Sequence, residues 1–284
     1  MEKKSTAKQP FSLRTFFMPI GIYIIGVMGT MPVMAQEEVA LKESEAAEEA
    51  KVTLDVGADL VSRYIWRGID FGNSAAIQPT LSLSAFGITF GAWASYGLTR
   101  TNYPVNDTVS INYNYSECDL FLAYTYKYFT LMLYDYYTPS PIDSLPGNNY
   151  FDWNNSTTLH TLEVSLIFDG PEKFPLQFIA STLVYGADKN KDSTGVYGVG
   201  DKNNFSTYFE LSYLIDIKGF ELRPFIGGIP FGSSWYGTKA GLTNVGIHVG
   251  KEIPISKKFS IPICSNLVVN PMSKKIYLVF ILTI

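Results

Sequence analysis

Four charged residues recur at every fourth position in the segment that begins at residue 52: Asp55, Asp59, Arg63 and Arg67. Residues two or four apart in a β-strand point to the same face, so this spacing places all four on one side of an extended segment. Apolar residues occupy the alternate positions from 52 to 60 and form the other side. Two carboxylates could do acid/base chemistry, but the alternation favours a charged lining, in which Asp59 and Arg63 could also pair.

The same parity in later segments collects further residues that could line an enclosed interior. The complete set of lining candidates is Asp55, Asp59, Arg63, Arg67, Trp93, Asp119, Glu163, Glu210, Arg223 and His248. With Glu117, Lys127 and Glu221, which share the parity, seven carboxylates face four Lys or Arg side chains. Such a lining favours cations or neutral polar solutes over anions, whereas charges paired across neighbouring strands would only keep the interior wet. Trp93 could stack on a sugar or nucleoside, but filling space is the favoured interpretation.

The histidines and cysteines do not form a recognisable catalytic or metal site. His248 has only glycines beside it on its own face, and His160 has Thr158 two residues away and no carboxylate predicted to orient it. A hydrolase needs a nucleophile beside such a base, and P-loop, GxGxxG and GxSxG motifs are lacking. Cys118 and Cys264 fall on segments that are not neighbours, which predicts free thiols. We therefore predict no enzyme activity, no cofactor and no metal.

Three regions divide the chain of 284 residues. Residues 1–35 combine basic residues, an apolar stretch and the small-residue site Val33-Met34-Ala35, which predicts a cleaved signal peptide. Residues 36–51 are acidic and Ala-rich, which predicts a periplasmic tail that is helical or disordered. The remainder, 52–284, has alternating segments to its end. The net charge is −4, and no basic patch argues for binding of nucleic acid.

The elements that must position the charged residues are twelve strand-like segments separated alternately by long and short connections. They are residues 52–66, 76–85, 88–98, 117–126, 129–137, 158–168, 176–185, 204–215, 220–229, 243–251, 259–269 and 275–284. Only 17% of residues are charged, against about 25% in typical soluble domains. Alternating loop lengths and apolar outer faces are typical of membrane barrels. We predict an all-β fold, an antiparallel up-and-down transmembrane β-barrel of twelve strands.

Two segments fit this pattern poorly. Asp135 has the outward parity of its apolar neighbours and would need a bulge or an interfacial position. The last segment is apolar on both faces and ends on Ile284, with Phe280 as its last aromatic residue. Aromatic residues at segment ends are predicted to form an interface girdle. They are Tyr64, Trp66, Tyr96, Tyr126 and Tyr137.

Several short motifs resemble a known family. They are SRYIWRG at 62–68, Gln78-Pro79, Gly91-Ala92-Trp93 and Asn270-Pro271. These motifs resemble the TorF-type family of bacterial outer-membrane proteins described as porins, and SRYIWRG is the most specific of them. The resemblance implies a barrel in the outer membrane of a Gram-negative bacterium and passive transport, without an established substrate.

The pattern and the resemblance together predict a porin-like channel for passive diffusion of small polar solutes or cations through an acidic lumen. The expected partners are outer-membrane lipid, the barrel-assembly machinery during biogenesis, and the solute, with no nucleic acid. The expected location is the cell outer membrane. The alternatives are a narrow structural or adhesive barrel without conductance and a lipid-modifying outer-membrane enzyme.

Overall fold

The computed structural model describes residues 52–284 except 105–109, 143–145, 197, 199 and 257–258. The predicted signal peptide at 1–35 and the predicted tail at 36–51 lie outside the described residues. In the part that is described, no helix is long and apolar enough to span a membrane. The helical structure in these ranges is the single 3₁₀ turn Pro146–Asn148.

Fifteen strands make up the described fold. They are β1 Thr53–Val61, β2 Tyr64–Trp66, β3 Ile69–Phe71, β4 Ala76–Ala85, β5 Ile88–Pro104, β6 Ser110–Tyr126, β7 Phe129–Tyr137, β8 His160–Asp169, β9 Leu176–Gly186, β10 Thr207–Tyr213, β11 Ile215–Ile217, β12 Phe220–Ile229, β13 Gly241–Ser256, β14 Phe259–Asn270 and β15 Lys275–Thr283.

The main sheet closes on itself. Its order is β10-β9-β8-β7-β6-β5-β4-β1-β15-β14-β13-β12-β11, and β10 also pairs with β12. All pairs are antiparallel, including the pair between the first and last strands, in which Asp59 lies opposite Thr283. β10 and β11 are one wall strand interrupted at Leu214. The result is a closed antiparallel barrel of twelve strands, which confirms the predicted fold class.

The two faces of the wall differ as the alternation predicts. Apolar side chains such as Val56, Leu131 and Leu278 are 72%, 55% and 58% exposed on the outside. Asp55 and Asp59, which alternate with Val56, are buried inside. A soluble domain would bury the apolar face, so an apolar outer belt around a polar interior is typical of barrels that face lipid.

Residues 62–75 depart from the predicted boundaries. The first segment was predicted to continue to Trp66, but β1 ends at Val61. The chain then turns into the barrel, where β2 and β3 form a two-stranded sheet of their own. Ser62 fixes this turn because it stays bonded to β15: the Ser62 N–H donates to the Phe280 carbonyl and the Ser62 hydroxyl accepts from the Phe280 N–H, at 2.9 Å each. We call residues 62–75 the lumen hairpin.

The lumen hairpin explains the unusual composition of the last strand. Leu278 and Phe280 face outward, whereas Val279 and Ile281 are buried inside the barrel. The inner pair packs in one apolar cluster with Ile65 of the lumen hairpin. The last strand is therefore apolar on both faces because one face belongs to the outer belt and the other packs against the hairpin.

Candidate functional site: the lumen hairpin

The turn of the lumen hairpin is encoded by Arg67 and Gly68. Tyr64 pairs with Phe71 and Trp66 with Ile69, which leaves Arg67-Gly68 as a two-residue turn. Their φ angles are +49° and +81°, and a type I′ turn requires positive values at both positions. The SRYIWRG motif is therefore a strand followed by a tight turn, rather than the end of a wall strand.

Both faces of the lumen hairpin pack against the wall. On one face, the Tyr64 ring lies 5.4 Å from Trp93 and the Trp66 ring 5.5 Å from Tyr136. On the other face, Ile65 joins the cluster that includes Val268 of β14. β7, which carries Tyr136, and β14 are six positions apart in the order of the twelve wall strands, so they lie on opposite sides of the barrel. The hairpin thus crosses the lumen from wall to wall.

The prediction that Tyr64 and Trp66 belong to an interface girdle was wrong. Their exposed fractions are only 6% and 3%, because the chain has already entered the lumen at Ser62. Tyr137 is also buried, and its hydroxyl donates to the carbonyl of Asn148 at 2.8 Å. The remaining two girdle candidates are exposed on the outer face: Tyr96 and Tyr126.

Arg67 carries the most extensive set of contacts at the tip. Its guanidinium binds the Glu163 carboxylate through two nitrogens, at 2.6 and 2.8 Å. The same nitrogens donate to the Tyr236 hydroxyl at 2.5 Å and to the Ser181 hydroxyl at 2.9 Å. Arg67 is 6% exposed and Glu163 1% exposed. All four hydrogens on the terminal nitrogens of Arg67 therefore have acceptors, and the ion pair is shielded from solvent.

Aromatic rings enclose the same guanidinium. The central carbon of Arg67 lies 4.5 Å from the Trp66 ring centroid and 4.6 Å from that of Tyr208. Tyr236 is a third neighbour at 6.0 Å. Burial raises the pKa of the Tyr236 hydroxyl, although the nearby Arg67 charge opposes this shift. Tyr236 therefore stays neutral, and the site combines one carboxylate with ring faces, an arrangement that stabilises planar cations.

The backbone at the tip rests directly on the wall. The Asn270 side chain donates to the Gly68 carbonyl at 3.0 Å, which gives a role to the Asn270-Pro271 motif. A Cβ atom built on Gly68 would lie 1.8 Å from the Thr243 carbonyl oxygen. Only glycine therefore allows both the turn geometry and this close approach.

Replacing Gly68 with alanine is expected to destabilise the protein far more than the same change at Gly219. Both glycines have positive φ, +81° and +77°, but no atom lies within 4 Å of a Cβ at Gly219. Gly219→Ala should cost about 1 kcal/mol for backbone strain, and Gly68→Ala about 2 kcal/mol more because it overpacks the wall. Urea unfolding of both variants measures the difference. Equal losses of stability would contradict the close contact between the hairpin tip and β13.

Apart from Arg63, the other lining candidates lie inside the barrel, and three of them have partners of their own. Asp59 accepts from Thr283 at 2.6 Å, and Asp119 accepts from the Tyr137 N–H at 3.0 Å. His248 is 2.6 Å from the Asn266 side-chain oxygen. The remaining buried members of the set are Asp55, Trp93, Glu210 and Arg223. The structure thus brings together Arg67 and Glu163 but leaves the others distributed along the wall.

Glu210 lies near the site through a neighbour. It accepts a hydrogen bond from Tyr208, whose ring contacts Arg67, and another from Asn244 at 2.7 Å. Glu210 is therefore a second buried carboxylate, and it lies on the same side of the lumen as Glu163, since β10 and β8 both pair with β9.

Arg63 behaves differently from the other candidates. It does not pair with Asp59, as the sequence allowed; its guanidinium instead binds Asp70 on the lumen hairpin at 2.9 Å. The Arg63 side chain is 36% exposed and its charge lies 6.0 Å from the Tyr277 ring centroid. Arg63 pairs with Asp70 because the chain turns at Ser62. Arg63 therefore no longer follows the alternation of β1 and lies beside β3, the second strand of the hairpin.

Several buried polar atoms on the inner wall lack a protein partner. Neither carboxylate oxygen of Asp55 accepts a hydrogen bond, and the Ser82 hydroxyl and Trp93 indole N–H have none. Asp55 and Ser82 are register partners on β1 and β4. A cavity of about 10 Å³ lies beside Asp55 and Asp59, which is room for one water molecule. Buried polar groups are rarely left unsatisfied, so this part of the lumen is expected to be hydrated.

Asp135 and His160 form a polar pair on the outer face. His160 Nδ1 lies 2.9 Å from the Asp135 carboxylate, and Nε2 lies 2.6 Å from the Tyr150 carbonyl oxygen. The Trp153 ring stacks on His160 at 4.0 Å. The loop before β8 therefore covers Asp135, which explains its outward parity. Asp135 on β7 is the carboxylate partner that the sequence did not indicate for His160. A base for hydrolysis needs a free ring nitrogen, and both nitrogens of His160 are occupied.

Metal-binding chemistry has no candidate centre in the described ranges. They contain no group of three or more His, Cys, Asp or Glu side chains that could hold a metal ion. Cys118 is exposed on the outer face and Cys264 is buried inside, and no disulfide joins these two cysteines. The side chains around Arg67 are one carboxylate, hydroxyls and aromatic rings.

Comparisons with known proteins do not assign the chain to a family. No family model matches the chain, and neither a curated protein nor a solved structure does. The resemblance of SRYIWRG and the shorter motifs to TorF-type porins therefore stays a prediction.

Sequence reasoning missed the residues that surround Arg67. Ser181, Tyr208 and Tyr236 belong to distant strands and loops, and Tyr236 is 169 residues from Arg67. Part of the signal for the hairpin was nevertheless present: Gly68 between apolar flanks readily takes one of the two positive φ angles that a type I′ turn requires. That signal predicts the turn but does not identify the wall residues that it contacts.

Proposed function

We propose that the protein is an outer-membrane channel for small polar solutes with a preference for cations, and that the lumen hairpin closes it at rest. The closed barrel and its apolar outer belt support a location in a membrane. The predicted signal peptide supports export. Burial of Asp55, Asp59, Asp119 and Glu210 inside the barrel supports a cation preference.

One observation carries the proposal: the lumen hairpin is not part of the wall. β2 and β3 pair only with each other, in a sheet separate from the barrel. Withdrawal of the hairpin would break side-chain contacts and the few backbone contacts at its ends and tip, but no hydrogen bond between wall strands. An element that crosses the lumen without belonging to the wall has the geometry of a gate.

A non-conducting structural barrel is the second candidate. It is favoured by the packing of both hairpin faces, with Trp66 on one side and Ile65 on the other. In that case the hairpin would be a permanent core that stabilises a narrow barrel. Removal of the hairpin distinguishes the two functions, because only a channel would then conduct.

The acidic lumen is expected to determine ion selectivity. Asp55→Asn combined with Asp59→Asn removes two carboxylates from the inner wall. We expect the ratio of cation to anion permeability to fall by about twofold or more, as for acidic rings in other pores. Reversal potentials in planar bilayers under a salt gradient measure this ratio.

The matched control removes two carboxylates from exposed positions, with Glu172→Gln and Asp201→Asn. It should leave the reversal potential unchanged. An anion-selective current from the unmodified protein, or the same small shift in both double variants, would contradict an acidic pathway through the lumen.

A further inference from the structure

We propose that the wall site that holds Arg67 is a binding site for solutes that carry a guanidinium group, and that Arg67 occupies it as a tethered competitor. This inference rests on the proposed function, because a solute reaches the site only when the lumen hairpin moves. It identifies a substrate class for the channel and a means by which that class would open it.

The site belongs to the wall and not to the hairpin. Glu163 lies on β8, Ser181 on β9 and Tyr208 on β10, and Tyr236 lies in the loop before β13. All four are buried, with exposed fractions of 1%, 1%, 1% and 5%. Among the ring contacts to the guanidinium, only Trp66 would leave with the hairpin. The carboxylate, the hydroxyls and two rings would remain.

The carboxylate is held in place by wall residues. Glu163 accepts from the Ser165 hydroxyl at 2.9 Å and from the Tyr136 hydroxyl at 3.2 Å. The Ser165 and Ser181 hydroxyl oxygens are hydrogen-bonded to each other at 2.7 Å. These contacts involve no hairpin residue, so the wall alone positions the Glu163 carboxylate. Such preorganisation is what a ligand site requires.

The chemistry selects a planar, bidentate cation. Two parallel hydrogen bonds to a carboxylate match a guanidinium, and a ring face such as that of Tyr208 at 4.6 Å stabilises a flat charge. Ammonium groups and alkali ions lack the fork geometry. Free arginine and other alkyl guanidines have the same head group as Arg67.

Withdrawal of the hairpin without a substitute would leave the Glu163 carboxylate facing the opened lumen without its guanidinium partner. The ion pair and hydrogen bonds that Arg67 makes with the wall site would then be lost. A guanidinium solute that replaces Arg67 restores these contacts, so it stabilises the open state relative to the closed one. A ligand that binds only one of two states shifts the population toward that state, and the solute would therefore promote its own passage.

The test uses the full chain with Arg67→Ala, which empties the site but keeps Glu163. Its unfolding temperature is measured in detergent by the loss of the folded band on semi-native gels. Guanidinium chloride or arginine at about 20 mM should raise this temperature by about 2–4 °C and saturate, because a ligand that binds the folded state stabilises it. Sodium chloride, tetramethylammonium chloride and urea at the same concentration should not.

Two controls identify the site. The double variant Arg67→Ala, Glu163→Gln lacks the carboxylate and should show no response to guanidinium. The unmodified protein should respond less than Arg67→Ala, because tethered Arg67 competes at a high effective concentration. If Arg67→Ala does not fold by itself, the same salts are compared during refolding, and the folded fraction becomes the readout.

The outcomes separate this inference from the proposed function. No difference between guanidinium and sodium in Arg67→Ala, or an equal response in the double variant, would overturn the binding site. Neither readout requires a current, so a barrel that binds guanidinium but never conducts would overturn only the channel. In planar bilayers, replacing potassium with guanidinium should increase the open fraction of the unmodified protein; a conducting protein without this increase would overturn the coupling between solute and hairpin.

Discussion

Replacing residues 64–71 with a short Gly-Ser link is expected to give a barrel that stays open. The barrel closes through pairing of its twelve wall strands, including β1 with β15. β2 and β3 do not belong to this sheet and pair only with each other. The shortened protein should therefore still fold. Minor conformations are ordinarily populated at about 0.1–10%, so abolishing the closed state should raise the mean current at least about tenfold. Single-channel recording in planar bilayers measures the current.

A deletion of similar size in another connection controls for loop shortening. Residues 191–196 lie in the connection between β9 and β10 and are separate from the lumen hairpin. Shortening this connection should leave the current close to that of the unmodified protein. A hairpin-deleted barrel that folds and inserts, but carries no more current than this control, would favour the structural barrel over the channel.

Glu163→Gln is expected to cause the largest loss of stability of any single change in the lumen. Glu163 and Arg67 are 1% and 6% exposed and meet at 2.6 Å, so removing one charge leaves the other buried without its counterion. Breaking a buried pair in this way typically costs about 3–5 kcal/mol. Urea unfolding of the barrel in lipid vesicles, followed by tryptophan fluorescence, measures the free energy of unfolding.

The more exposed ion pair between Arg63 and Asp70 provides a matched control. Arg63 and Asp70 meet at 2.9 Å, but the Arg63 side chain is 36% exposed. Asp70→Asn should therefore cost less than about 1 kcal/mol. The double variant Arg67→Met, Glu163→Gln should recover much of the loss, because removing both charges leaves no buried ion. If Glu163→Gln were as mild as Asp70→Asn, Arg67 would not be buried against Glu163 in the folded protein.

The barrel could be predicted from the sequence because its information is local. Alternation at a period of two sets the two faces of each strand, and alternating connection lengths set the meander. Val56 and Leu131 face outward and Asp55 and Asp59 inward, as this pattern predicts. The structure also has the twelve wall strands that this pattern predicts.

The lumen hairpin could not be predicted because its position depends on contacts between distant parts of the chain. Tyr64 and Trp66 continue the parity of β1, so the pattern alone is the same for a longer strand and for a turn at Ser62. The Arg67 contact with Glu163 spans 96 residues of sequence. No periodicity encodes a pairing of that kind.

Two misfits in the pattern pointed to these features. The inner apolar residues Val279 and Ile281 needed a partner inside the barrel, and Ile65 of the lumen hairpin provides it. The outward Asp135 needed shielding, and the loop that carries Trp153 over His160 provides it. Departures from a strong pattern thus marked the places where a loop folds back onto the wall.

Hydrogen exchange of the unmodified protein tests most directly whether residues 62–75 occupy the lumen. The backbone amides of β2 and β3 pair with each other and lie under buried Tyr64, Ile65 and Trp66. In peptides that cover residues 62–75, exchange should be at least about 100-fold slower than in an open loop, since it requires the hairpin to unfold or withdraw. The variant Arg67→Ala should lose much of this protection. Exchange of these amides at the rate of an unstructured loop would contradict a hairpin that crosses the lumen, and with it the proposed gate.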